Sequence, residues 1–531
     1  SDLRAFAQEH NLSINGGSEK TTYYLSGNFM KQQGMMAFNT DHYDRYAISA
    51  KINSKLSDIL TVGYNARLVR EDYQRPAALT NSFYDDLGRQ GWPTLPLYDP
   101  NGHLYSSPSP ALGMRDGGTD KSTKDYIYQQ LQLTLEPIRG WKTIANINYR
   151  TTTQFRHWDS QKLYNYDVKG EPYVYKSNSN VYEYAWKENY YNISAHSEYD
   201  KRIGDHHFKT MVGFQVENTA YRDLSAQRDG ILVPGQPVLN LTSSTDYDGK
   251  PTVPTVTGQY QNWANAGFFG RINYDYADKY LIEGNLRYDG SSRFRADSRW
   301  GWFPSVSAGW NISKEKFFTD NVSFVNYLKL RASYGELGNQ NTTDWYPTYV
   351  LLPVGITNGA WLINNTRPNT ASAAGLVSST LTWESINTLN AGIDFGLLNN
   401  RLTGSFEVFK RKTLDMVGPA PQLPAVLGTQ VPQTNNTDLE TKGFEATIGW
   451  TDRTEGGFRY STKFLVSDYS TTVTNYPNKT GSLDEDTYRT GQRLGEIWGY
   501  TTIGIAKSQQ EMDAHLASLP NGGQNDLGSQ W

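Results

Sequence analysis

Cysteine is absent from all 531 residues. That excludes a disulfide framework, a thiolate metal site and a cysteine nucleophile, while leaving the compartment open. A cationic excess is absent too: 50 Lys and Arg stand against 54 Asp and Glu, a formal charge of −4. Nothing in that balance would hold a nucleic-acid backbone, so no nucleic-acid partner is expected. No apolar run approaches the ~18 residues of a membrane-crossing helix, and the mean hydropathy is −0.64. A helical membrane protein is excluded. A transmembrane β-barrel is not, because its strands alternate lipid-facing apolar residues with lumen-facing polar ones and its loops are polar.

Aromatic residues are plentiful: 37 Tyr, 14 Trp and 20 Phe. Tyr dominates, and its apolar ring with a polar tip suits boundaries between apolar and wet surroundings. The strongest pattern is a two-residue period. Leu60, Val62, Tyr64, Ala66 and Leu68 share one face, opposite Thr61, Gly63, Asn65 and Arg67. Phe208 to Val216 and Phe458 to Val466 repeat it, with Gln215, Glu217, Arg459 and Lys463 on the wet face. About sixteen such segments lie between Leu12 and Val466, most of them ~8 to 12 residues long, near the ~9 to 11 of a membrane-spanning strand. Helical periodicity is confined to Asp2 to Glu9 and Gln509 to Leu519.

Connections alternate between short and long, and two fit less cleanly: Gly290 to Phe303 is a medium loop on the long side and Ser313 to Tyr327 is rather long for the short side. Gly17 to Lys20, Ser54 to Asp58, Pro137 to Gly140, Asp200 to Asp205, Ala277 to Lys279, Leu397 to Asn400 and Thr451 to Gly457 are short. Between them lie Gly34 to Asp44, Arg70 to Lys124, Thr151 to Asn189, Asn218 to Trp263, Gly335 to Asn387 and Arg411 to Gly443. In an up-and-down meander every second connection lies at the same end. One end is therefore trimmed and the other elaborated, the asymmetry of outer-membrane barrels. Tyr274, Tyr276 and Tyr280 around a short turn read as an interfacial girdle, and Pro304 as the start of a strand.

Catalytic motifs are missing: there is no G-x-S-x-G, P-loop or H-E-x-x-H. His206 and His207 read as a solvated turn rather than a metal site. Carboxylate pairs such as Asp85 and Asp86, or Asp484 to Asp486, read as solvated loops. No enzyme, metal or cofactor is expected. The long loops instead carry rings and amides: Phe83, Tyr84, Trp92 and Tyr98 in one, Trp345, Tyr346 and Trp361 with Asn364 and Asn365 in another. Rings stack on flat apolar faces and amides bond hydroxyls both ways. Tyr84, Trp92, Trp345 and Trp361 are the candidate ligand contacts, against the plainer reading that these rings pack the loops together.

Several segments carry a family resemblance. "RYDGSSRF" (Arg287 to Phe294), "WGWFPSVSAGWNISKEKFF" (Trp300 to Phe318), "LKLRASYGELGNQ" (Leu328 to Gln340) and "NTDLETKGFEATIGW" (Asn436 to Trp450) resemble the SusC family of TonB-dependent outer-membrane transporters. So do Asn11 to Phe29, Leu381 to Met416 and Gly495 to Ile505, in the family's order. The resemblance implies an all-β, antiparallel up-and-down barrel of the 22-stranded type, in the outer membrane of a Gram-negative bacterium. Residues 1–531 would then be the middle of the barrel, with the plug, the TonB box and the last strands outside this chain. It further implies import of a large nutrient, above all an oligosaccharide, with a SusD-like lipoprotein as lid and the TonB complex as energy source. A peptide ligand is the alternative within the class, and a non-energised receptor or adhesin barrel the alternative outside it. A soluble carbohydrate-active enzyme would need a facing carboxylate pair. Membrane lipid is the remaining partner. Arg287 and Arg293 are expected to pair with carboxylates in the lumen, and the segment Leu389 to Val408 to form a hairpin about Asn399 and Asn400.

Overall fold

The computed structural model describes residues 5–35, 41–90, 94, 96–106, 110–342, 344–355, 362–371, 374–420, 426, 428–429, 431–479, 481–482, 487–497, 499, 501–502 and 504–519. The first part of the wall is β1 (Ala7–Gly17), β2 (Thr21–Gln33), β3 (His42–Lys55), β4 (Leu60–Pro76), β5 (Thr119–Ile138) and β6 (Trp141–Ser160). A small hairpin, β7 (Leu163–Tyr166) with β8 (Pro172–Lys176), stands outside it. The wall resumes with β9 (Asn180–Ile203), β10 (His206–Asp229), β11 (Thr255–Tyr276), β12 (Tyr280–Ser291), β13 (Trp300–Asn311) and β14 (Val325–Asn339). A second accessory pair, β15 (Val354–Gly355) and β16 (Thr370–Ala371), precedes β17 (Glu384–Leu397), β18 (Leu402–Val417), β19 (Asn435–Arg453) and β20 (Arg459–Asn475). Four α-helices, α1 (Asn81–Gln90), α2 (Ala111–Asp116), α3 (Lys316–Thr319) and α4 (Gln509–Ser518), and two 3-10 turns, Leu239–Leu241 and Ile312–Lys314, complete the described elements. Sixteen strands form one antiparallel sheet in sequence order, open between β1 and β20. It is an up-and-down barrel wall.

Register assigns every wall side chain to a face. Leu12, Ile14, Ile48, Val212, Ile272 and Phe464 all lie on the outer face, and Val212 is 66% exposed and Phe464 72%. A continuous apolar belt of this extent has no counterpart on a soluble monomer. Lipid is the medium that suits it. The belt is bounded by rings eight residues apart on four strands: Trp141 and Tyr149, Tyr199 and Tyr191, Tyr280 and Tyr288, Trp310 and Trp302. Tyr149 meets Tyr191 with ring centres 4.9 Å apart, Tyr288 meets Trp302 at 4.3 Å, and Tyr280 meets Trp310 at 6.4 Å. Eight residues span roughly 26 Å along a strand. Tilted by ~40°, that is about 20 Å across, near the height of an outer-membrane apolar band. The girdle expected around Tyr274, Tyr276 and Tyr280 belongs to the lower row, joined by His206, Phe208 and Phe317.

The lumen-facing rows are largely polar, and some of the rings among them sit over glycine. A Cβ on Gly213 would come 2.6 Å from Phe269, and one on Gly443 2.6 Å from Phe409. Glycine there is a requirement of the ring's seat.

Four expectations need correcting. The strands are longer than ~8 to 12 residues: β9 and β10 have 24 each. Beyond the upper girdle no lipid imposes apolar alternation, yet the backbone ladder continues, so Thr151 to Ser160, Asn180 to Asn189 and Asn218 to Asp229 are strand rather than loop. Ala7 to Glu9 pair with Met30 to Gln32 instead of forming a helix, the ladder overriding local propensity. Pro304 lies inside β13, and pairing with β14 begins one residue later, at Ser305. Its missing N–H therefore marks where the second neighbour joins. Arg293 turns away from carboxylates, toward the Thr342 hydroxyl (3.0 Å) and carbonyl; Arg287 does pair with Asp289 (2.8 Å). The remaining turns match, with Leu398, Asn399 and Asn400 all at positive φ and α4 beginning at Gln509.

Placing a charge on the outer belt should be costly. In the full-length protein, Val212→Arg is expected to lower stability by ~2 to 4 kcal/mol near the membrane midplane, while Gln215→Arg on the other face is far milder. Denaturant unfolding of the folded barrel in lipid vesicles provides the check.

Candidate functional site

Above the upper girdle β5, β6, β9, β10 and β11 continue as a collar, and its inner face carries a shelf of rings. Trp186 lies opposite Asp223 across the β9–β10 pair and Tyr221 opposite Glu188, so all four point inward. The Trp186 and Tyr221 ring centres are 5.7 Å apart. Trp186 Nε1 donates to Gln154 Oε1 at 2.6 Å, and Lys124 Nζ lies 5.4 Å from the Trp186 ring centre and 4.8 Å from that of Tyr126. Tyr221 shares a 2.7 Å hydrogen bond with Tyr184 and donates to Asp223 at 2.9 Å. Burial, then the bonds to Tyr184 and Asp223, hold the Tyr221 phenol protonated far above its ordinary range. The shelf thus offers ring faces, fixed phenol hydroxyls, an amide, a cation and carboxylates on rigid strands. Such a surface can stack on the flat faces of a ligand and bond its hydroxyls or amides.

The loops around the shelf are pinned. In loop 77–118, Phe83 is buried with Leu79 and Met114, and Leu104, Ala111 and Leu112 pack on Leu163 of the β7–β8 hairpin. Asp120 at the foot of this loop is 4% exposed and takes bonds from Arg75 (3.0 Å) and Arg156 (2.8 Å). Burial opposes its charge, but the two guanidiniums prevail and hold the carboxyl below its usual range. Loop 340–383 is held by Arg293 and by Trp383, whose Nε1 donates to the Arg299 carbonyl at 2.8 Å and whose ring packs on Phe294 and Phe303. Tyr346 Oη accepts the Asn262 N–H at 2.8 Å. His157 of β6, eight residues beyond Tyr149 and outside the membrane, lies 2.7 Å from Glu183 and 3.5 Å from Asp159. Those bonds, Asp159 first and then Glu183, lift its pKa to about 9 against the opposing effect of burial.

Of the four candidate residues, Trp92 and Trp361 lie outside the described residues. Trp345 packs edge-on against Tyr221 with ring centres 6.0 Å apart, which sets it at the margin of the shelf. Tyr84 is exposed on α1 and touches Phe83 edge-on at 5.3 Å. Among the described residues no ring contact joins Tyr84 and Trp345. Asn364 and Asn365 occupy the positive-φ positions of a tight turn closed by Ile363 and Thr366. Trp186, Tyr184 and Tyr221 escaped the sequence reading because they fell inside segments assigned to loops. The signal was there in the inward spacing of Tyr182, Tyr184 and Trp186. His207 sits between Asp275 (2.7 Å) and Asp200 (3.0 Å), and no cluster suited to a metal ion occurs among the described residues.

The sequence profile described as "TonB dependent receptor-like, beta-barrel" matches residues 18–516. TonB-dependent receptor P39 of Formosa agariphila is 27% identical over 532 residues, covering 96% of this chain and 47% of the relative. TonB-dependent receptor SusC of Bacteroides thetaiotaomicron is 26% identical over 520 residues, covering 91% and 48%. Among solved structures, the RagAB peptide transporter superposes with a TM-score of 0.73 at 20% identity, covering 89% of this chain and 51% of that one. The chain spans about half the length of the curated relatives it matches.

The collar's ion pairs set a pH window. Asp120, with a lowered pKa, contributes stability that is present above the ordinary carboxylate range and lost as pH falls through its folded value. His157 contributes the reverse: its share is complete below its unfolded value near 6.5 and lost as pH rises through about 9. Limited proteolysis of loops 77–118 and 161–179 across pH should show least cleavage between those limits. His157→Gln should flatten the alkaline limb alone.

Proposed function

Because the chain belongs to the TonB-dependent receptor-like β-barrel family and is a SusC-like barrel of the outer membrane, we propose that the whole protein imports a large nutrient. The reading is an oligosaccharide captured at the collar, closed in by a SusD-like surface lipoprotein and drawn inward at the expense of TonB. The observation that carries it is the inner shelf of Trp186, Tyr221 and Trp345, with Lys124, Gln154 and Asp223 around it. It stands where a ligand entering from the elaborated end arrives before the membrane-level lumen. A wall alone has no energy source, so directional uptake needs an external force.

A peptide cargo is the second reading. The similarity to the RagAB peptide transporter favours it, as do inward carboxylates and guanidiniums on the same wall, which match a chain carrying both signs.

The test is uptake in cells expressing the full-length gene. Trp186→Ala combined with Tyr221→Ala should cut growth on the nutrient about tenfold or more, each stacking contact being worth ~0.5 to 1.5 kcal/mol, while leaving folded barrel in the membrane and the lipoprotein co-purifying. Uptake at the wild-type rate in that variant would overturn the shelf as capture site. Growth panels of oligosaccharides and peptides as sole carbon source decide between the two cargoes.

A further inference from the structure

Charge is not evenly spread over the inner wall. Lumen-facing positions of β3 to β6 carry Arg45, Lys51, Arg67, Lys124, Arg150 and Arg156, against Glu71 and Asp120 in the same stretch. On β9 to β12 the balance tips toward carboxylate, with Glu188, Glu217, Asp223, Glu283 and Asp289 inward beside Lys209, Arg271 and Arg287. There Glu217 is held by Tyr190 and Asn265, and Asp223 by Tyr221 and Gln259, all neutral donors. The lumen therefore has a positive side and a negative side.

On the positive side a cavity of about 530 Å³ is lined by Arg45, Arg67 and Arg150 together with Glu71 and Tyr126. Arg150 follows Tyr149 of the upper girdle, which sets the cavity level with the outer edge of the membrane. Arg150 is engaged by Glu188 at 2.6 Å and stacked 5.2 Å from the Tyr190 ring centre. Arg45 gives Nη2 to Glu9 and Asn28, each at 3.3 Å, while its buried Nε has no partner. Arg67 faces the cavity with neither an ion pair nor a hydrogen bond among the described residues. Among the described residues Glu71 is the one carboxylate lining the cavity, and Tyr126 donates to it. The Arg45 Nε is too deeply buried for a ligand to reach, so the donors the cavity offers are the unengaged Arg67 guanidinium and the partly exposed end of Arg45. Guanidinium forks match planar or tetrahedral oxyanions.

We propose that this cavity is an oxyanion subsite, in which the Arg67 guanidinium, with the exposed end of Arg45 lining the same cavity, takes a carboxylate or sulfate group carried on the imported ligand. The proposal rests on the reading of the barrel as a conduit. It deepens that reading by assigning the ligand a negative charge, placed one step inward of the aromatic shelf. Arg150 links the two, since Glu188 and Tyr190 lie on the strand that bears Trp186.

The probe is selenate, a sulfate analogue whose selenium is located by anomalous scattering in crystals of the full-length protein. An anomalous peak within hydrogen-bonding distance of Arg67 and Arg45 is expected. Its apparent affinity should be about tenfold weaker in Arg67→Gln, intermediate in Arg67→Lys, which keeps the charge and loses the fork, and unchanged in Arg271→Gln, which lies outside the cavity. An empty cavity, a peak indifferent to Arg67→Gln, or a carboxylate of the protein's own chain seated between Arg67 and Arg45 would overturn the proposal. Uptake is scored separately in cells, so loss of the anion site with intact uptake removes the ligand's charge and not the transport.

Discussion

In hydrocarbon an unpaired peptide group costs several kcal/mol, and that cost dictates the rest of this molecule. It forces each membrane-level residue into a ladder with neighbours on both sides. The antiparallel meander does this with hairpins, which is why consecutive wall strands are neighbours in space. Once the ladder is fixed, the two-residue period of the side chains follows, and one face must be apolar where the other is free to be polar. The inner face is the only place where charge and hydrogen-bonding chemistry can accumulate at membrane depth.

The same ladder explains why a binding surface can stand far from the membrane without becoming loose. β9 and β10 stay paired from the turn at Gly204 up to Asn180 and Asp229, so Trp186 and Tyr221 are held by the registry that crosses the membrane. Loops then add Trp345 to a platform that already exists. Arg293, Trp383 and Asp120 restrain those loops through buried contacts rather than secondary structure. Rigid rings lose little freedom on binding, which is an economy for a site that must capture and later release.

The alternation of Leu60 to Leu68 and of Phe208 to Val216 was legible because lipid on one side and water on the other write opposite chemistries at odd and even positions. Strand number and turn parity followed from it. The upper strand ends were illegible for a physical reason: above Tyr149 and Tyr191 both faces meet water, the contrast fades, and a strand such as Val181 to Asn189 resembles a polar loop. Trp186 and Tyr221 were lost with it. Trp345 was visible as a ring in a loop, but its seat on Tyr221 depends on a partner more than a hundred residues away. The opposed charge of the two inner walls is likewise invisible until register assigns Arg67 and Glu217 to the same side of the sheet.

Because residues 1–531 carry no cysteine, single cysteines placed there report faces when read against the unsubstituted full-length protein. In intact cells carrying the full-length protein, an impermeant thiol reagent should label Gln259→Cys on the inner collar and spare Val212→Cys and Ile272→Cys on the outer belt. Labelling of the belt positions as fast as Gln259→Cys would mean that both faces meet water, and the assignment of lipid, lumen and collar would fall together.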